Sequence, residues 1–421
     1  MNDISRAPEM SAADAALAGK ISDWILAEGL RGTAIRDLLE GFCEQLSSAG
    51  FPLVRAFASF QTLHPLYSGY GFIWRRADVD VEENSFLRQT IPSPAWTGSP
   101  FFYMLQNNVN TLLACLEGQT EREFPVYDDF RAEGATGYFA RLVGFGDLDI
   151  NKDEPGGVAY SFLTDCPGGF ADSHIAMLEK LMPMLSLAIK ARSTYQIATE
   201  ILGVYIGHDA GRRVFSGTIE RGDVQTIGAV IFFADLRGFT RLSETLDGGD
   251  VVAMLDDYLD AIARPLLAHG GEVLKFMGDG LMGTFEIGDA DPAEKCQAAL
   301  TATRDVMQGL AALNETRRAA GQPVMELDVA LHLGDVLYGN VGSENRLDFT
   351  VIGPAVNEAS RMEALCRPLQ RNLLVSEAFA NAASDECRGR LISIGRHELR
   401  DIPGDRELFT VEVADCPDAG P

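Results

Sequence analysis

VIFFADLRGFT, residues 230–240, and EVLKFMGDGLMGTFE, residues 272–286, decide how the second half of the chain is read. Val230 to Asp235 is an apolar run closed by an acid, the pattern of a buried strand. The second stretch folds back on itself at Gly278-Asp279-Gly280, a natural hairpin turn. Between the two, Val251, Val252, Leu255, Leu259, Ile262 and Leu266 mark one face of a helix. Beyond the hairpin, PAEKCQAALTATRDVMQGLAALNETRR (292–318) reads as another helix, and ELDVALHLGDVLYGN (326–340) and DFTVIG (348–353) as strands. This order predicts a ferredoxin-like α+β sandwich with additions.

The first half is different. From Thr33, the residues Ile35, Leu38, Leu39, Phe42 and Leu46 repeat at helical spacing until Ala49-Gly50 ends them. LVRAFASF (53–60), GYFARLVGF (137–145) and VAYSFL (158–163) read as strands, separated by turn-rich segments such as PSPAWTGSP. PGGFADSHIAMLEKL (167–181) then opens a long helix. Strands flanked by helices and closed by an exit helix resemble the layout of a GAF-like α/β sensor domain. In the exit helix Ile175, Leu178, Met182, Leu185 and Ile189 step by three and four. Such a seam pairs two helices in parallel or packs one helix on its own domain; both readings stay open.

The formal net charge is −26, from 61 acidic and 35 basic residues. Such a surface repels nucleic acid and anionic lipid, so neither is an expected partner. The seven cysteines are scattered without a CxxC pair, which predicts reduced thiols and no structural zinc. The N-terminus lacks the basic and apolar regions of a signal peptide, and no apolar run reaches membrane-spanning length. A soluble, cytoplasmic protein is expected.

Asp235 at a strand end and Asp279 at a turn tip can meet at one edge of a sheet. Two converging carboxylates repel unless a cation lies between them, and hard oxygen ligands, few in number, suit Mg²⁺. Leu236-Arg237-Gly238-Phe239-Thr240 follows directly, where N–H groups at a helix start attract phosphate oxygens.

These residues belong to longer stretches that carry a family resemblance. FADLRGFT (233–240), GGEVLKFMGDGL (270–281) and LHLGDVLYGNVGSENRLDFTVIGPAVNEASRMEAL (331–365) resemble the catalytic domain of class III nucleotidyl cyclases. That domain is palm-type and ferredoxin-like. The resemblance implies that Asp235, Asp279 and the carbonyl of Leu236 hold two Mg²⁺ or Mn²⁺ ions per active site. It places Gly238, Phe239 and Thr240 at the triphosphate, and Lys275 and Thr350 at the adenine base. Asn357 is similar to the asparagine that orients the ribose, and Arg361 to the arginine that steadies the transition state. The metal-binding set and the base-reading set act across two protomers in this family, so a homodimer is implied.

Lysine only donates hydrogen bonds, which suits the unprotonated ring nitrogen of adenine and clashes with the protonated one of guanine. ATP is therefore favoured over GTP. Thr350 resembles subclass IIIb, some of whose members respond to bicarbonate, which makes bicarbonate a candidate activator. Two departures stand out: Pro354 replaces the aspartate of the common IGDxVN, and Asp335 sits where some members carry a phosphate-binding arginine. Arg400 is an alternative basic group for the pyrophosphate.

The expected organisation is a lead-in over 1–28, a GAF-like regulatory domain over 29–170 and a helical linker over 171–224. A cyclase catalytic domain over 225–413 and a tail over 414–421 complete it. The expected function is adenylate cyclase, turning ATP into cyclic AMP and pyrophosphate, under control of an unidentified small-molecule or protein signal at the N-terminal domain. Guanylate cyclase and a catalytically inactive nucleotide-binding module are the alternatives.

Overall fold

Ser11 accepts the N–H of Asp14 at 3.1 Å and so caps a helix, α1 (Ala12–Arg31), that ends at Gly32 with φ of +73°. Ala18, Ile21 and Ile25 fall three and four apart along it and are buried. The lead-in expected over 1–28 is thus corrected: from residue 12 it is core structure, held by that apolar face. The computed structural model describes residues 10–88, 91–118, 120, 122–145 and 156–411. It falls into two units, Met1–Ile201 and Leu202–Pro421. The expected tail lies outside the described residues.

In the first unit α1 is followed by α2 (Ile35–Ser48), β1 (Leu53–Gln61), β2 (Tyr67–Arg75) and β3 (Glu82–Leu87). The short helices α3 (Pro94–Thr97) and α4 (Pro100–Gln106) precede β4 (Thr111–Cys115) and α5 (Val126–Ala132). β5 (Gly137–Gly144), β6 (Gly157–Thr164) and α6 (Asp172–Ile206) complete the series. The strands form one antiparallel sheet in the order β3-β2-β1-β6-β5-β4. Leu53, Ala56, Ala58 and Phe60 of β1 share one core with α1, α2 and α6, while Met104, Tyr127, Phe130 and Tyr138 belong to a second.

The exit helix settles its own ambiguity within this unit. Leu178, Met182, Leu185 and Ile189 are at most 1% exposed and belong to the first core. The stepped seam is therefore the helix's own packing face and is not available to pair with a second helix. Burying four such side chains outweighs any surface pairing, at roughly 1.5–3 kcal/mol for each fully buried large apolar side chain.

After the last five residues of α6, the second unit holds α7 (His208–Phe215), β7 (Val224–Arg237), α8 (Phe239–Ser243) and α9 (Gly248–Ala268). The hairpin is β8 (Glu272–Met277) and β9 (Gly280–Glu286), followed by α10 (Pro292–Ala319), β10 (Glu326–Gly342) and β11 (Leu347–Ile352). After α11 (Pro354–Cys366) come β12 (Leu373–Ser376), α12 (Glu377–Ala382) and α13 (Asp385–Arg388). β13 (Leu391–Glu398) and β14 (Asp405–Val411) end the unit.

Its sheet runs β13-β14-β12-β10-β7-β9-β8, with β11 paired to β10. The four strands β10-β7-β9-β8 are the fourth, first, third and second of the β-α-β-β-α-β unit, the ferredoxin-like order expected.

Along β7, Val230, Phe232, Ala234 and Leu236 join the core with α9 and α10, while Ala229 and Ile231 join the core on the other face. Asp235 and Arg237 continue this second face by the two-residue period of a strand. The buried line of α9 is Met254, Tyr258, Ile262 and Leu266; Val252 is 58% exposed, so the expected face is turned by part of a step. The segment 207–224, expected as linker, is part of this unit. Ala210 is fully buried in its core, and the Asp209 N–H donates to Glu272 at 2.6 Å.

Candidate active site

Asp235 lies two residues before the end of β7, in register with Asp328 on β10 and with Gly280 on β9; the strand, expected to close at this acid, runs on to Arg237. Asp279 directly precedes Gly280 at the hairpin tip, where Gly278 takes φ of +69°. The turn tip thus lies next to the partner of Asp235 on β9, and the charge of Asp279 acts on the Asp235 carboxyl. Burial, then the charge of Asp279, then that of Asp328 push the Asp235 carboxyl up to about 6. Asp328, 5% exposed, is answered by Arg237, which donates to both of its carboxylate oxygens and to Glu326 at 2.7 Å. Arg237 also reaches the carbonyl of Arg371 and the side chain of Asn372.

The donor chemistry at Asp235 and Asp279 fits a hard divalent cation, whose charge would offset the repulsion that raises the Asp235 carboxyl. Among the described residues no group of three or more His, Cys, Asp or Glu is placed to hold a metal. Leu236 buries its side chain (1% exposed) on the face opposite Asp235.

Gly238 takes φ of +85°, a left-handed turn that lets β7 pass directly into α8. The first helical bond there runs from the Leu242 N–H to the Gly238 carbonyl at 3.3 Å, so Phe239 and Thr240 lie ahead of it. Phe239 packs against the core and Thr240 is exposed.

Lys275 is exposed on β8, just past a bulge between Val273 and Lys275. A bulge re-aims the side chains that follow it. Phe349 and Val351 of β11 are buried, which places Asp348 and Thr350 on the opposite face of that strand. The Lys275 ammonium donates to the Asp348 carboxylate, so the structure brings Lys275 to the strand that carries Thr350.

Pro354 stands at the start of α11, where its missing N–H costs no helical bond. The replacement of the common aspartate is thereby accommodated locally. Ala355, Ala359, Met362 and Cys366 are the buried line of α11. Asn357 is exposed, and Arg361, with 42% of its side chain exposed, faces Asp401 at 3.9 Å. Arg400 lies 3.5 Å from the same Asp401, so one carboxylate gathers both arginines. Asp335 is exposed on β10.

Four residues of this region were not anticipated: Asp328, Arg237 as its partner, Asp348 and Glu363. Burial, followed by Asp235, Asp328 and Asp279, pushes the Glu363 carboxyl up to about 7. The register β7-β10 could have pointed to Asp328, but pairing of distant strands is not written in local pattern. Glu363 lies two residues beyond Arg361, and nothing in the helical spacing announces which strand edge it meets.

Residues 223–409 match the family described as adenylate and guanylate cyclase catalytic domain. An adenylate cyclase of Anabaena cylindrica is 35% identical over 170 residues, covering 39% of this chain and 33% of that protein. Adenylate cyclase 1 of Rhizobium meliloti (strain 1021) is 30% identical over 235 residues, covering 54% of this chain and 33% of that protein. The chain thus spans about a third of the length of these curated relatives. The crystal structure of the adenylyl cyclase CyaB from P. aeruginosa is 26% identical, covers 45% of this chain and 95% of that chain, and has a TM-score of 0.41. Among the described residues no helix is long and apolar enough to cross a membrane.

Proposed function

We propose that the chain is a class III adenylate cyclase of subclass IIIb type, converting ATP to 3′,5′-cyclic AMP and pyrophosphate in a cytoplasmic homodimer. The observation that carries this reading is the convergence of Asp235 and Asp279 at one sheet edge. In the reaction the ribose 3′-oxygen attacks the α-phosphorus in line. The bond from that phosphorus to the bridging oxygen breaks, pyrophosphate leaves with the electron pair, and the 3′ proton passes to solvent.

Asp235, Asp279 and the Leu236 carbonyl would hold two Mg²⁺ or Mn²⁺ ions, which when bound supply Lewis-acid activation of the attacking oxygen and neutralise the leaving one. Gly238 opens the turn in which the N–H groups of Phe239 and Thr240 meet the triphosphate. Lys275 donates to the adenine ring nitrogen and Thr350 accepts from its amino group. Asn357 orients the ribose. Arg361 contributes positive charge where negative charge develops, and Arg400, on the same Asp401, is the candidate for the pyrophosphate.

Homodimer formation is supported by where these groups stand on the single chain. Asn357 is exposed, and Arg361 faces Asp401. Phe276, Leu337 and Ile352 are apolar yet 51%, 39% and 39% exposed, on the strands of Lys275 and Thr350 or beside them. In a two-fold pair each chain supplies metal ligands to one site and base-reading and arginine groups to the other.

The first unit is proposed as a GAF-like sensor, supported by its six-stranded antiparallel sheet with helices on both sides. Its signal is a small molecule or a protein, and bicarbonate is a candidate activator of the catalytic half through the Thr350 resemblance. Mass spectrometry of the products formed from ATP and from GTP, with Mg²⁺ or Mn²⁺, tests the reading. Cyclic AMP from ATP is the expected product. Cyclic GMP alone would make the chain a guanylate cyclase, and no product would favour an inactive nucleotide-binding module.

A further inference from the structure

The Lys275–Asp348 pair joins a residue to which the proposed reaction gives a role with one to which it gives none. Lys275 has a flexible four-carbon stem, and 45% of its side chain is exposed. Left alone on an edge strand, such an ammonium samples many directions and remains hydrated. Asp348 removes that freedom by accepting one of its three donors. With 53% of the Asp348 side chain exposed, the ion pair stabilises the fold little. What it fixes is direction: Asp348 and Thr350 share one face of β11, so the cation is held to the face that carries the threonine hydroxyl.

We infer that Asp348 is a positioning residue for base recognition, holding the Lys275 ammonium where the purine edge arrives and masking its own acceptor oxygens. This inference rests on the nucleotide-cyclase reading given above. Two consequences follow from the chemistry. Without Asp348, Lys275 still donates but from no fixed position, so preference for adenine weakens. Without Lys275, the uncovered Asp348 carboxylate presents only acceptors. Those suit the protonated ring nitrogen and the amino group of guanine, so preference tilts toward GTP.

Isothermal titration of the full chain with ATP and with GTP tests this by equilibrium binding, which needs no turnover. Wild-type protein is expected to bind ATP more tightly. Asp348→Asn should lower the ATP-to-GTP affinity ratio about tenfold, the lower range of losses when a partner that orients a ligating group is removed. Asp348→Glu should restore part of the ratio. Lys275→Gln should raise relative GTP affinity, and adding Asp348→Asn to it should cancel that gain, a non-additivity that a merely structural role would not produce. An unchanged ratio in Asp348→Asn, or equal binding of both nucleotides by wild type, overturns the inference. Absence of cyclic nucleotide product would sink the proposed reaction, while the binding ratios would still judge Asp348.

Discussion

Asp235 and Gly280 face each other across β7 and β9, and a β-carbon placed on the glycine would lie 2.9 Å from Oδ1 of the aspartate. It would lie equally close to the Ala234 carbonyl. The glycine therefore leaves room for the Asp235 carboxylate at the hairpin, where metal ligation is proposed.

Gly280→Ala should displace Asp235 without unfolding the sheet. Misplacement of a reacting group by about 1 Å costs about 10²-fold in rate, so the proposed cyclase activity should fall by that order. Circular dichroism should stay unchanged, and Mn²⁺ affinity, followed by electron paramagnetic resonance, should weaken. Full activity in this variant would mean that Asp235 is not held where it is needed.

Asp279→Ala and Arg361→Ala should each lose about 10²–10³ in rate or more when assayed alone. Mixed under conditions where protomers exchange, they should recover activity, because one site of each mixed dimer then keeps all its groups. No recovery despite demonstrated exchange would dismiss a site shared between two chains.

Asp235 and Glu363 carry carboxyls whose folded values, about 6 and about 7, stand above their ordinary ones. The folded domain then binds more protons than the unfolded chain between about pH 4 and pH 7, so stability falls as pH rises through that window. In metal-free protein Glu363→Gln should raise the melting temperature at pH 8 and change it little at pH 4.5. An equal shift at both pH values would show that Glu363 is not strained by its charge.

Arg237→Ala should strip the partner from Asp328, whose side chain is 7% exposed. Leaving a buried charge unpaired typically costs about 3–5 kcal/mol, and urea unfolding should report a loss near the lower end. Changing both residues, Arg237→Met with Asp328→Leu, should recover part of it. A loss within 0.5 kcal/mol, the range of about ordinary surface changes, would mean that the pair carries little of the fold.

Leu185→Ala should destabilise the first unit by about 2–5 kcal/mol, because the side chain is fully buried in its core. Leu187→Ala, two residues on and 62% exposed, should change thermal stability by less than about 0.5 kcal/mol. If the two variants melted alike, the assignment of the seam to the unit's own core would be wrong.

Local chemistry made much of this protein legible in one dimension. The apolar run before Asp235, the Gly278-Asp279-Gly280 turn and the helical spacings of α2, α9 and α10 depend on neighbours a few residues apart. So the ferredoxin-like order could be read from the chain, with one acid at a strand end and one at a turn tip, while the pairing of β7 with β9 decided that they meet. β2, β3 and β4 were not read, because Gly69 and Gly71 break up β2, and β3 and β4 have only six and five residues, too few for a clear period.

What only the fold decided depends on which distant elements touch. A period of three and four on α6 describes a face equally well for a partner helix or for its own sheet, and burial of Leu178, Met182, Leu185 and Ile189 chose the sheet. Likewise Asp328, Asp348 and Glu363 look like ordinary surface acids in the chain. The sheet register seats Asp328 beside Asp235, the fold brings Asp348 to Lys275, and packing of α11 puts Glu363 within the field of the acidic pair. Electrostatic neighbours separated by tens of residues exist only once the backbone has closed, and no periodicity encodes them.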